Sequence, residues 1–184
     1  MAEWISSISG ALAVGVGIVA LWYARGQVED AVAAQKQAKN SAFGQFLLQL
    51  DEAFQRHNTV HLHLRNRGEW QKDSNNRPTD AELPAAEAYM GLFERVMVMI
   101  DLGLLEPKVV EHLYGYRVNN IWANNRIMDV KLAQYPEGWS KFLRLIKTME
   151  KARGSPYIKD RWQKYDELCR EHERRRRERE GRYA

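Results

Sequence analysis

Three histidines, His57, His61 and His63, fall close together. His57 and His61 are four residues apart, one helical turn, and that spacing can seat a metal ion when further ligands converge. A di-metal carboxylate bundle needs two Glu-x-x-His segments, and the sequence contains none. The expectation is therefore of histidines at the edge of an apolar core with hydrogen-bond partners, with no metal and no cofactor. Cys169 is the single cysteine, and His172 follows it by three residues. Both lie in a densely charged stretch without a visible pocket, so they are not read as nucleophile and base. The sequence has no Gly-x-Ser-x-Gly, no phosphate-binding glycine loop and no dinucleotide fingerprint. A non-enzymatic protein is expected.

Three further groups carry charge or polarity in unusual places. Glu94 sits in LFERVMVMI, beside Phe93 and near an apolar face. A half-buried carboxylate needs a partner. Arg117 or Arg126 is the expected one, in a registering ion pair across helices. RVNNIWANNRI, residues 117–127, puts four asparagines within seven residues, although Asn is a poor helix former. Asn120, Trp122 and Asn124, with the two arginines, would line a polar groove for a partner or small ligand; solvated asparagines are the plainer alternative. From Arg170 on, the chain mixes seven Arg with four Glu, including the run Arg174, Arg175, Arg176, Arg177. Glu and Arg at i,i+4 spacing support an exposed helix. Contact with anionic lipid headgroups is an alternative. Nucleic-acid binding is not expected, because a dedicated binder has a denser basic face without interleaved acids.

These groups need a scaffold, and the scaffold begins with an anchor. From Trp4 to Ala24 there are 21 residues without a charge, reading WISSISGALAVGVGIVALWYA. As a helix this is about 31 Å long, close to the hydrocarbon thickness of a bilayer. Trp4 at one end and Trp22 and Tyr23 at the other suit the headgroup level. A buried core helix or a cleaved signal peptide would be the other readings; Glu3 and the lack of an early Lys or Arg weaken the latter. Arg25, Lys36 and Lys39 all follow the stretch, which predicts the N-terminus outside and the remaining chain in the cytoplasm. Ser7, Ala11 and Gly15 are spaced by four, as are Ser9, Ala13 and Gly17. Small residues at that spacing let membrane helices approach closely, so a homo-oligomer is expected.

Apolar periodicity predicts only helices after the anchor. Residues 26–42 extend the anchor as a helical linker. Phe43, Phe46, Leu47, Leu50, Phe54, Val60 and Leu64 mark a helix over about 40–66. Residues 68–80 read as a polar loop. A helix from Pro84 to Leu102 ends at Gly103, another runs from Pro107 to about Ala133, a third opens at Pro136 and closes at Gly154, and a fourth opens at Pro156. The expected fold is all-α: a membrane helix (1–25) extended into a long helix, a four- to five-helix cytoplasmic bundle (43–168), and a charged helical tail (169–184). The net charge of +4 and 45% hydrophobic content suit a folded domain and exclude a disulfide-stapled or low-complexity chain.

Leu92–Phe93–Glu94, Asp101–Leu102–Gly103–Leu104–Leu105 and Ile121–Trp122 carry a resemblance. In these, the chain resembles a class of small, uncharacterised bacterial membrane proteins in which one N-terminal span leads into a cytoplasmic helical domain. The resemblance implies a bacterial inner-membrane setting and a helical domain, and brings no site residue with it. A membrane-anchored, cytoplasm-facing interaction or scaffold module that self-associates and binds a protein partner is the leading expectation. A membrane-perturbing effector of toxin or defence type, triggered through the helical domain, is the second, and a membrane-tethered nucleic-acid binder the third.

Overall fold

The computed structural model describes the backbone of residues 2–72 and 77–182, and the side chains of residues 25–38, 40–70 and 77–182. Among them there is no strand, and the protein is all-helical. The chain divides into two units, residues 1–46 and 47–184. Helix α1 runs from Ala2 to Arg56.

In the first unit, Arg25 pairs with Glu29 one turn on, and Val28 and Val32 are exposed. Among the described residues, no helix is long and apolar enough to cross a membrane. The side chains of the uncharged stretch lie outside the described residues. The expectations for its packing residues, Ser7, Ser9, Ala11, Ala13, Gly15 and Gly17, and for its aromatic ends, Trp4, Trp22 and Tyr23, therefore lie outside them too.

The second unit is a helical bundle. α2 (Asn58–Leu64) follows α1 after a break at His57, so the single helix expected over 40–66 is two. α3 is one turn, Glu69–Lys72, inside the stretch expected to be a polar loop. Its Trp70 is buried, and burying an indole rewards local order that polar neighbours conceal. α4 (Leu83–Asp101) is entered through Thr79-x-x-Glu82. The Thr79 N–H and Oγ1–H both donate to Glu82 Oε2, at 2.7 and 2.8 Å. This is one half of a capping box, and the Thr79 N–H holds the Glu82 carboxyl below its usual range. Ala86, Tyr89, Met90, Phe93, Val96 and Met97 form the buried stripe of α4. Past its end, Gly103 has φ 66°, the left-handed conformation that glycine takes without a Cβ penalty.

α5 (Pro107–Ala123) stops ten residues before the expected end at Ala133. Asn124 adopts an extended backbone, and a short turn α6 (Asn125–Ile127) leads into a π-helical segment, Met128–Ala133. α7 is Ser140–Arg153; Pro136 lies in the turn before it and does not open it. Gly154 closes α7 with φ 81°. α8 runs from Arg161 to Glu180. The charged tail is thus the second half of α8, continuous with the part that carries Tyr165 into the core. α7 packs against α4 and α5, and α8 against the π-helical segment. Phe54, Tyr89, Phe93 and Phe142 form a continuous aromatic spine through the core, with ring centroids 5.0–6.2 Å apart.

Candidate functional site

The asparagine-rich segment is a joint in the fold. Asn124 is buried, and its side-chain Oδ1 accepts the Ile127 N–H at 2.9 Å, capping α6. Its Nδ2 donates to the carbonyl of Trp70 at 3.3 Å, tying the joint to α3. Trp122 is fully buried against Trp162 and Tyr165. The expected polar groove of Asn120, Trp122 and Asn124 is therefore overturned. An amide that caps a helix and an indole that fills the core have no face left for a ligand; Asn120 itself is half-buried.

The joint is locked by a residue that periodicity does not single out. Arg161, at the start of α8, is buried. Its Nε donates to the Trp122 carbonyl and its Nη1 to Asn125 Oδ1, both at 2.8 Å. Burial pulls its pKa down, yet the guanidinium stays charged because its ordinary value is so high. Its guanidinium also lies 5.8 Å from the Trp122 ring centre.

The expected ion pair of Glu94 with Arg117 or Arg126 is also overturned. Glu94 is half-buried and makes no ion pair among the described residues. Arg126 reaches Asp80 at 2.5 Å. Arg117 turns to aromatic groups. Its Nη1 donates to Tyr89 Oη at 3.1 Å, and its guanidinium lies 4.9 Å from the Phe54 ring centre and 5.4 Å from that of Tyr116. Two π faces and a hydroxyl compensate a half-buried cation without a carboxylate.

The histidines divide between two neighbourhoods. His61 faces this arginine: its Nδ1 is 3.4 Å from Tyr89 Oη, and its ring packs edge-on against Tyr116. Burial, then the positive charges of Arg117 and Arg65, pull its pKa down to about 4. The imidazole is neutral at pH 7. His57 lies 6.2 Å from the Tyr89 ring. His63 stacks on Trp70 at 5.0 Å and reaches Glu69 at 3.2 Å. His57, His61 and His63 do not converge on one point.

No family model, curated protein or solved structure matches this chain.

Among the remaining features, a cavity of about 970 Å³ lies beside the C-terminal half of α8. Arg176, Arg177 and Arg179 line it, but so do Glu137, Glu173 and Glu180, so its charges balance. Cys169 sits at its wall with its thiol pushed up by burial, and His172 binds Asp129 at 2.7 Å. A thiol of that kind is a poor nucleophile. Arg174, Arg175, Arg176 and Arg177 pair with Glu178, Glu171, Glu180 and Glu173, each one turn away.

Sequence reasoning placed Arg117 correctly near the inner side of α5 but gave it the wrong partner. It missed Tyr89 and Tyr116 as polar groups, because at helical spacing a tyrosine reads only as apolar surface. The site that remains is one cation, Arg117, with Tyr89, Tyr116 and His61 around it.

Proposed function

We propose that the chain is a membrane-anchored helical interaction module, held by residues 4–24 with the bundle on the cytoplasmic side, which self-associates and binds a protein partner. The observation that carries the reading is a set of apolar side chains left exposed at helical spacing on the bundle. Val109 and Leu113 on α5 are exposed one turn apart, and Val98 on α4 and Leu102 just past its end repeat the spacing. A bundle that leaves aligned apolar side chains in water is built to cover them. The paired arginines of α8 favour a protein partner over nucleic acid. Their charge is matched within the helix, and phosphate binding needs uncompensated cations.

The test is the native mass of the full chain extracted from membranes in mild detergent. A mass above that of one chain is expected, and Gly15→Leu with Gly17→Leu lowers it, because bulk at those positions separates packed membrane helices. A chain found in the soluble fraction, or a mass unchanged by the substitutions, overturns the anchored, self-associating reading.

A further inference from the structure

Arg117 is a half-buried cation with no carboxylate partner among the described residues. Its Nε–H is buried and has no hydrogen-bond partner. The tyrosines 89 and 116 act on it electrostatically, and the Tyr116 ring centre lies 5.4 Å from the guanidinium. Asp51, which approaches the same aromatic cluster from α1, is occupied in accepting the Tyr114 hydroxyl at 3.0 Å. A second cation, Arg65, acts on the same imidazole as Arg117. Around the Arg117 guanidinium the fold thus gathers the rings of Phe54 and Tyr116, with the His61 imidazole edge-on to Tyr116. Tyr116 is 52% exposed, so the group opens to solvent on one side.

We propose that this cluster is a binding site for a phosphate group, with Arg117 as its anchor. A phosphate has several acceptor oxygens and a charge near −2, and a planar guanidinium beside the exposed Tyr116 side chain matches both. Phe54 and Tyr116 hold the guanidinium plane in place, so little side-chain entropy remains to be lost on binding. The phosphate comes from a free ligand or from a lipid headgroup; the recognition chemistry is the same, and the source is for experiment to decide. The site lies wholly within residues 47–184 and does not depend on the self-association proposed above.

The experiment is a titration of the full chain in detergent with inorganic phosphate, following the side-chain Nε–H resonance of Arg117 by NMR, with chloride at equal ionic strength as the control. A saturable shift with phosphate and none with chloride is expected. Arg117→Lys keeps the charge but loses the planar fork and the resonance followed, so its phosphate binding is read by isothermal titration calorimetry beside the parent, and it weakens about tenfold. Tyr116→Phe keeps the ring at a half-exposed position, so it folds even where changes at Arg117 do not, and weakens binding about threefold or more. Nanodiscs with and without phosphatidic acid separate the sources: a shift of the same resonance only with phosphatidic acid assigns a lipid headgroup, and a shift with free phosphate alone assigns a soluble ligand. No saturable shift with either probe overturns the site, as does binding unchanged by both substitutions.

Discussion

Asn124 carries two unlike jobs with one amide, and the two can be separated by substitution. Asn124→Ala removes the cap on Ile127 and the bond to the Trp70 carbonyl, and is expected to destabilise the bundle by about 1–2 kcal/mol. Asn124→Asp keeps the acceptor for Ile127 but turns a carboxylate oxygen towards the Trp70 carbonyl in a buried place, so thermal melts at pH 7 should place it no higher than Asn124→Ala. A melting point for Asn124→Ala equal to that of the parent would remove Asn124 from the joint. His61 makes a second, independent prediction. Its pKa is about 4 in the fold against 6.5 for the free side chain. The unfolded chain therefore takes up a proton that the folded chain refuses between those values. Stability is full above about pH 6.5 and is lost as pH falls towards about 4. Chemical denaturation across that range should show the loss, and His61→Gln should flatten this contribution. A slope that is the same with and without His61 would contradict the environment described for it.

Among the elements, helix ends proved more informative than helix interiors. Gly154 closes α7 at φ 81°, a conformation that costs an L-residue about 1–2 kcal/mol. Nothing lies within 4 Å of where a Cβ would stand, so Gly154→Ala tests backbone strain without a clash. It is expected to lower stability by about 1 kcal/mol, read by denaturant midpoint at constant slope. Gly103 and Gly154 were legible because a glycine after an apolar periodic run is a direct mark of a helix end. The stops at His57 and Ala123 carry no such mark. His57 falls within a run of apolar spacing that continues from Phe54 to Val60. At Asn124 the stop depends on a carbonyl of Trp70, 54 residues away in sequence. The π-helical segment that follows adds to the helical repeat, and periodicity tuned to 3.6 residues per turn does not register it.

For the whole molecule, the division at Phe46 predicts that residues 47–184 form a folding unit of their own. The aromatic spine and the Trp122–Trp162–Tyr165 cluster both lie inside that range. A fragment of residues 47–184 is expected to unfold in one cooperative transition in water, without detergent. Non-cooperative melting of that fragment would place part of its core support in residues 1–46.

The sequence by itself determined the helical class, most of the buried stripes and two of the helix ends, because each depends on residues a few positions apart. Phe93 and Val96 face inward on account of their own spacing. It also shows an uncharged run from Trp4 to Ala24. Only the tertiary structure decided partners. Arg117 faces Tyr89 and not Glu94, Arg161 caps the carbonyl of Trp122, and Trp122 leaves the expected groove for the core. The physical reason is that a charge is satisfied by whatever lies within about 3–5 Å, whether carboxylate, hydroxyl or ring face. Which of these lies that close is set by how helices distant in sequence cross, and no local spacing encodes it.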